Sequence, residues 1–284
     1  MPPQSPFCLV TLPSCEAASR LISRAILVQS IYEHWATAPT LPALHTLIRA
    51  ANKHSHPRYQ TASFKFSFDS FQGTRPSSSR PSIINSFSYL GFQGPIALSD
   101  PDEEFAILEE WPFSATRLGV AEPELLHFGR YVGSGARELA VTYTLKTRRY
   151  ISTTSMDSEL ALVTANIAHA GPGKLFYDPF VGTGSFPVAA AHFGSLAFGS
   201  DIDGRSIRGA GKGGVKGNFE QYGLGYLLGG MFTADLTNSP VCVGRRIWDG
   251  IVCDPPYGVR EGLKVLGHRD PAKAQGAEAM KERS

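Results

Sequence analysis

Residues 174–186 constrain the fold of this 284-residue chain more than any other segment. They read as a short apolar run, an aspartate, a tight Gly-Thr-Gly turn and the beginning of an alanine-rich helix. A strand that enters a helix through such a turn is typical of nucleotide-type pockets in parallel α/β sheets. Further strands are predicted at residues 196–201, just before Asp235 and at 248–254. The alternation predicts a partial Rossmann-like α/β domain.

The first half of the chain has a different pattern, which predicts a small α+β domain. Leu21, Ala25, Val28 and Tyr32 recur at helical spacing and predict one buried helix face. Short apolar or alternating runs predict half-buried strands. The predicted helices are residues 16–35 and 41–51, and the predicted strands are residues 7–10, 64–68, 105–111, 125–131 and 139–145.

A further helix is predicted just before the glycine turn. Residues 154–157 match a helix-capping pattern. Met156, Leu160, Val163 and Ile167 then predict one buried face of a helix that ends near residues 171–173.

Composition limits the possible functions only weakly. The formal net charge is +2, so binding of a polyanion would depend on local patches rather than on a global field. No run of about 18 apolar residues predicts a membrane span, and the N-terminus has no signal-peptide pattern. The four cysteines form no Cys-x-x-Cys pair, so we predict buried, reduced thiols and no metal site.

Three aspartates are predicted at the ends of successive strands. Asp178 would lie near the amino-acid end of a bound cofactor, Asp201 near its ribose hydroxyls and Asp235 near its adenine amino group. A helix cap or a turn is the alternative for each one separately. Gly182 and Gly184 would let the backbone approach the ligand. Position 187 is proline instead of the third glycine of a dinucleotide fingerprint, which disfavours NAD and FAD and leaves S-adenosylmethionine.

The second chemical motif is Asp254-Pro255-Pro256-Tyr257, which follows an apolar strand. Asp254 and the carbonyl of Pro255 would accept the hydrogens of an exocyclic amine and turn its lone pair toward an activated methyl group. Proline fixes φ and stiffens this position. Tyr257 would stack on a base that has left its helix. The motifs together predict methyl transfer to an amino group.

Residues 146–150, Lys-Thr-Arg-Arg-Tyr, form the densest basic cluster. The cluster would hold phosphates while Tyr150 stacks on a base, and a solvated linker is the equally weighted alternative.

Several of these motifs together resemble the eukaryotic tRNA guanine N2-methyltransferase catalytic subunits that modify position 10. The resemblance rests on residues 149–151, 154–157, 178–186, 199–203 and 254–262. It implies a THUMP-type tRNA-binding domain at residues 1–145, a class I methyltransferase domain at 146–267 and a polar tail at 268–284. It also implies a cytoplasmic enzyme that binds tRNA and needs a small zinc-binding activator subunit.

The resemblance also extends the predicted cofactor site. Thr154 and Ser155 would lie near the methionine end of S-adenosylmethionine. The predicted cofactor-binding residues are Thr154, Ser155, Asp178, Phe180, Gly182, Gly184, Asp201, Asp203 and Asp235.

The sequence departs from that family in two respects, of which the first is an N-terminal domain that begins with what resembles an interior segment of the family's domain. Such a methyltransferase sheet has seven strands and only four are predicted here, so we expect an incomplete version whose fourth strand forms an exposed edge. Two alternatives stay open. One is a DNA adenine N6-methyltransferase, which uses a similar Asp/Asn-Pro-Pro-aromatic motif, and the other is a tRNA-binding protein without activity.

Overall fold

The computed structural model describes residues 5–209, 211, 213–241 and 244–257. The chain divides into two compact units, Met1–Ala136 and Arg137–Ser284. Each unit contains one four-stranded sheet.

The sheet of the first unit has the strand order β1-β4-β3-β2. Strands β2 and β3 are parallel, and the other two pairs are antiparallel. Short 3₁₀ turns lie at Lys53–Ser55, Ser77–Ser79 and Ser88–Leu90. The elements in chain order are α1 (Cys15–Ile22), β1 (Ser30–Ala38), α2 (Leu41–Ala51), α3 (Arg58–Thr61), β2 (Phe64–Phe71), α4 (Arg80–Ser86), β3 (Glu103–Glu110), α5 (Ala115–Leu118) and β4 (Leu125–Ser134).

Helix α2 has clear local signals at both ends. The hydroxyl of Thr40 accepts from the backbone N–H of Ala43, and Pro42 occupies the first turn, where no amide donor is needed. The helix ends at Asn52, which has a left-handed backbone conformation. Leu44 and Ile48, one turn apart, are fully buried and join the core that also contains Trp35, Phe105 and Phe128.

The sheet of the second unit is entirely parallel, with the order β7-β6-β5-β8. The chain builds β5, β6 and β7 outward and then returns to place β8 on the other side of β5. The crevice between the carboxyl ends of β5 and β8 is therefore the topological switch point. The elements are α6 (Glu138–Thr142), α7 (Ser158–Ile167), β5 (Leu175–Asp178), α8 (Ser185–His192), β6 (Leu196–Asp201), α9 (Gly204–Arg208), α10 (Gly214–Gln221), β7 (Leu228–Thr233) and β8 (Gly250–Ile251), with 3₁₀ turns at Gly225–Leu227 and Leu236–Asn238.

Helix α8 runs behind this sheet, and all its residues except His192 are buried. Its small side chains allow α7 to approach closely, so the buried positions of α7 are also mostly small: Ser158, Ala161, Leu162 and Ala165. The predicted face of α7 is wrong because Leu160 and Ile167 are exposed. Its N-cap is Asp157, whose carboxylate accepts from the backbone N–H groups of Glu159 and Leu160.

Three predictions for the first half of the chain are wrong: the strand at residues 7–10, the length of the helix at 16–35 and the buried face of that helix. Residues 7–10 form no strand, and the helix predicted at 16–35 ends at Ile22, with Leu21 and Val28 exposed. Residues 30–38 instead form β1, because pairing with β4, about a hundred residues later, overrides the local pattern.

Two further predictions need correction. Residues 139–145 do not form a strand, because α6 covers Glu138–Thr142 and the N–H of Tyr143 donates to the carbonyl of Leu139. Cys8 and Cys15 are exposed and Cys253 is half-buried, so the prediction of buried thiols is wrong for the first two. Cys242 lies outside the described residues.

The strand predictions in the second unit hold with small shifts of their ends. Strand β6 has the predicted bounds, whereas β8 contains only two residues. The described part of the chain contains four strands in this sheet.

Candidate active site

Two aspartates flank the switch point of the parallel sheet. Asp178 is the last residue of β5, and Asp254 follows β8 by three residues. Asp178 is almost fully buried, and its Oδ1 accepts from the N–H of Phe180 at 2.9 Å. Phe180 itself is half-buried beside it.

Burial, together with the negative charges of Asp201 and Asp254, raises the pKa of Asp178 to about 7. The bond from Phe180 opposes the shift without cancelling it. In the described part of the chain, Asp178 forms no ion pair. A cation placed in the crevice would therefore stabilise the ionised form of this carboxylate.

The glycine turn lies next to these acids and is fixed by the adjacent strand. Oδ2 of Asp201 accepts from the N–H of Gly182 at 2.9 Å, while its Oδ1 accepts from the N–H of Asp203. Gly182 and Gly184 both have positive φ, of 48° and 84°. Both therefore need a conformation that glycine adopts readily.

The two glycines differ in the space around them. A Cβ on Gly184 would lie 2.6 Å from Cγ1 of Val215, so this glycine serves the packing of α8 against α10 and not the approach of a ligand. A Cβ on Gly182 would meet only the carbonyl oxygen of Phe180, at 3.9 Å. The open side of the turn is thus at Gly182.

The segment before α7 also reaches this turn. Oγ of Ser155 lies 2.8 Å from Oγ1 of Thr183, and Oγ of Ser185 donates to the carbonyl of Met156 at 3.0 Å. Thr154 is exposed, and its hydroxyl is 3.2 Å from that of Ser152. The structure thus brings Ser155 to the glycine turn, as the predicted site requires, and leaves Thr154 at the surface.

Asn218 belongs to the same group of contacts, although it was not among the predicted site residues. It is fully buried on α10, and its Nδ2 donates to the carbonyls of Tyr150 at 2.8 Å and Thr183 at 3.0 Å. Its Oδ1 accepts from the N–H of Tyr150 at 2.9 Å. The available signal is an asparagine in the interior of a helix, where this residue is disfavoured without a specific partner.

Asp203 and Asp235 both have local hydrogen-bonding roles. Asp203 caps α9 and pairs with Arg205. Asp235 is buried and accepts from the N–H and hydroxyl of Thr237, which caps a 3₁₀ turn. Both still follow strand ends, so their local roles do not remove them from the candidate site.

The Asp-Pro-Pro-Tyr motif lies at the surface beside the crevice. Pro255 and Pro256 are exposed, and the ring of Tyr257 is 78% exposed while its hydroxyl donates to Asp254. That bond and the negative charge of Asp254 raise the pKa of Tyr257. The ring is accessible for stacking. The motif's extension at residues 258–262 lies outside the described residues.

In the basic cluster, for which phosphate binding and a solvated linker were equally weighted predictions, only part of the charge is at the surface. Arg148 is buried, where it donates to Oγ of Ser185 at 2.6 Å and to the carbonyl of Tyr143 at 3.0 Å. Tyr150 donates its hydroxyl to the carbonyl of Ser206. Lys146 and Arg149 remain exposed. The cluster therefore acts mainly as a structural connection.

No group of three or more His, Cys, Asp or Glu side chains in the described part of the chain could hold a metal ion. No helix in the same part is long and apolar enough to cross a membrane.

A parallel sheet with a glycine turn after its first strand and acids at its switch point defines a Rossmann-like domain of the class I methyltransferase type. Comparison with known families agrees with this class. Residues 146–267 match the RMKL-like methyltransferase domain, and residues 2–137 match the Tmrp11 THUMP N-terminal domain.

Two similar curated proteins have the same name. A tRNA (guanine(10)-N(2))-methyltransferase of Saccharomyces cerevisiae is 42% identical over 97% of this chain and 64% of its own length. The enzyme of the same name from Schizosaccharomyces pombe is 42% identical over 93% of this chain and 55% of its own. Over nearly its whole length the chain is similar to these tRNA (guanine(10)-N(2))-methyltransferases, and it spans about 55–64% of the length of the two relatives.

Among solved structures, TrmN from Thermus thermophilus is a distant match. The match covers 89% of this chain and 68% of the TrmN chain at 18% identity, with a TM-score of 0.40.

Proposed function

We propose that this chain binds S-adenosylmethionine and transfers its methyl group to the exocyclic N2 amine of a guanosine in tRNA, at position 10 as in the names of its relatives. The observation that carries the proposal is the buried, uncompensated Asp178 at the switch point, with Asp254 across the same crevice.

The residues present fit this cofactor. S-adenosylmethionine carries an ammonium group and a sulfonium, and it supplies an already activated methyl group. Asp178 would receive the ammonium group and thereby recover the cost of its burial. Gly182 would leave room beside the turn, with Ser155, Thr154 and Phe180 close to the amino-acid end.

The remaining cofactor contacts would come from the other strand ends. Asp201 would accept from the ribose hydroxyls through the lone pairs that its two backbone bonds leave available, with Asp203 beside it. Asp235 would accept from the adenine amino group. Each of these acids has a local structural partner, so its position is fixed before the ligand arrives.

The chain's contribution to methyl transfer would be mainly alignment. Asp254 and the carbonyl of Pro255 would accept the two amine hydrogens, which turns the nitrogen lone pair toward the methyl group. The new N–C bond would replace the C–S bond of the sulfonium, S-adenosylhomocysteine would leave, and Asp254 would pass the surplus amine proton to solvent. Pro255 and Pro256 restrict the backbone around that carbonyl. The exposed ring of Tyr257 stacks on the guanine once it has left the helix, and its hydroxyl then releases Asp254 to the amine.

We also propose the organisation and partners that the resemblance implies. Residues 1–145 would bind tRNA and 146–267 would carry the chemistry, and the tail predicted at 268–284 lies outside the described residues. A small zinc-binding activator subunit and a cytoplasmic location complete the proposal. Faster methylation after co-expression with that subunit would support its role, and an unchanged rate with a confirmed complex would contradict it.

Methyl transfer to a tRNA transcript tests the main proposal. The matched substrate carries inosine at position 10, which lacks only the exocyclic amine. We expect transfer to guanosine and none to inosine, and an Asp254→Ala variant that binds S-adenosylmethionine in calorimetry but transfers no methyl group. Asp201→Ala should weaken binding itself.

Other outcomes identify the alternatives. Transfer to adenine in DNA would replace the proposal with a DNA methyltransferase. Binding of tRNA without binding of S-adenosylmethionine by the folded chain would indicate a tRNA-binding protein without activity.

A further inference from the structure

We propose that Asn218 is a positioning residue that holds the glycine turn and the segment 150–156 together as one wall of the cofactor site. The inference rests on the proposed function for its ligand, but its geometry stands on described contacts alone. Asn218 does not itself need to touch the cofactor, because it acts through Thr183 and Tyr150.

The side-chain amide of Asn218 bonds to the backbone of two separate segments. Asn218 is fully buried and makes three bonds: Nδ2 to the carbonyls of Tyr150 and Thr183, and Oδ1 to the N–H of Tyr150. Both hydrogens and one oxygen of the side chain are therefore used. Because Thr183 lies between Gly182 and Gly184, one side chain fixes the backbone of the turn from behind.

Tyr150 connects this amide to the segment before α7. Tyr150 is held at both its N–H and its carbonyl, which sets the direction in which the chain continues toward Ser155. Oγ of Ser155 then meets Oγ1 of Thr183 at 2.8 Å. Both ends of the segment are therefore connected to Thr183. Tyr150 is connected through the side chain of Asn218, and Ser155 is connected directly through its hydroxyl.

The glycine turn needs such support because glycine backbone is flexible. Its two glycines have positive φ, and glycine is the least restricted residue in the unfolded chain. Val215 fills the space at Gly184, one helical turn before Asn218 on α10. Helix α10 therefore supplies packing at Gly184 and a hydrogen bond at Thr183, which hold one side of the turn, whereas Asp201 holds the other side at Gly182.

The same helix provides a matched control. Gln221, three residues later, accepts from the N–H of Arg149 at 2.7 Å and donates to the carbonyl of Thr147 at 2.9 Å. It holds the neighbouring residues Thr147 and Arg149 through the same chemical group, but its hydrogen bonds do not include the glycine turn. Asn218→Asp and Gln221→Glu each replace an amide by a carboxylate of equal size.

The test compares two ligands in calorimetry on the full chain. S-adenosylhomocysteine contains the amino-acid end, and 5′-methylthioadenosine has the same nucleoside and thioether without it. We expect Asn218→Asp to weaken S-adenosylhomocysteine binding roughly tenfold or more, since two donated bonds are lost, and to leave 5′-methylthioadenosine binding within about twofold. Gln221→Glu should leave both affinities within about twofold.

Equal affinities in wild type and Asn218→Asp would overturn the inference. So would a parallel loss of both ligands, because that is the result of general unfolding of the site. If the aspartate variant does not fold, Asn218→Ala removes the same donors without adding a charge and is scored in the same way.

Hydrogen exchange separates this inference from the proposed function. In the ligand-free chain, the amides of Gly182 and Gly184 should exchange about tenfold faster in Asn218→Asp than in wild type or Gln221→Glu. If wild type binds neither ligand, the proposed function fails while the exchange result still decides the role of Asn218. Unchanged exchange in Asn218→Asp would contradict that role.

Discussion

Glu109 in the first unit and Asp178 in the second are buried to the same extent, at 1% and 2% exposure, but their surroundings are opposite. Glu109 accepts from Nε of Arg75 at 2.5 Å and from Trp111 and Ser70, each at 3.1 Å. Asp178 accepts from one backbone N–H and is near two other acids. In the described part of the chain it has no cationic partner.

The difference separates a structural carboxylate from a functional one. A buried charge is stable when it is paired and hydrogen-bonded, and costly when it is not. Glu109 is satisfied by the folded chain alone, so it contributes to the fold. Asp178 is satisfied only when something positive enters the crevice, so its cost is retained until a ligand binds. Four experiments can break or sharpen this comparison.

Glu109→Gln should have the largest effect. It leaves Arg75 with only its exposed partner Glu122, and we expect a loss of up to about 5 kcal/mol in the free energy of unfolding, the cost of breaking a buried pair, measured by urea denaturation. Glu104→Gln is the control, because Glu104 pairs with Lys65 at a more exposed site and should cost less than about 1 kcal/mol. Equal losses in the two variants would contradict the structural role of Glu109.

Asp178→Asn should act in the opposite direction. The pKa of Asp178 is raised to about 7 in the folded chain, so its favourable contribution is present below about pH 4 and is lost as pH rises through 7. Removing the charge should therefore stabilise the ligand-free chain at pH 8, by up to on the order of 1–4 kcal/mol, and not at pH 4. Urea denaturation at both pH values measures this. Destabilisation at pH 8 would mean that a cation already pairs with Asp178.

Ligand binding should show the same titration. An ammonium group favours the ionised form of Asp178, so the affinity for S-adenosylhomocysteine should rise between pH 6 and pH 8, by up to about tenfold for each pH unit below the ligand-free pKa. Calorimetry in buffers of equal ionic strength measures the slope. The Asp178→Asn variant should bind weakly and without this slope, and a steep slope in that variant would place the titrating group elsewhere.

Gly182→Ala should have the smallest effect on stability. The positive φ costs about 1–2 kcal/mol, and the new methyl group meets almost nothing. The loss of ligand affinity should exceed that of stability, because the methyl group points into the open side of the turn. Gly73→Ala in the first unit is the contrast, because its Cβ would lie 2.6 Å from the ring of Trp111 and should disturb packing instead. A Gly182→Ala variant with normal affinity would show that the ligand lies elsewhere.

The local sequence was sufficient where short-range signals agreed. Helix α2 has a Thr40 cap, an early proline and a buried pair one turn apart, and its bounds were predicted correctly. Strand β6 and the order strand, glycine turn, helix at β5 and α8 were predicted for the same reason. Strand β1 was not, because its residues are strand only through pairing with β4. The buried face of α7 was missed because the small residues of α8 decide which side can pack.

The sequence by itself determined the chemical groups and their order: three acids after successive strands, a glycine turn and an Asp-Pro-Pro-Tyr motif. A motif records residue types and spacing, and these are local properties. The tertiary structure alone decided how those groups are charged and supported. It buried Arg148, left Asp178 without a counter-charge among the residues that the structure describes, and placed the amide of Asn218 behind Thr183. Burial and pairing depend on segments that are distant in the chain, so no local pattern can encode them.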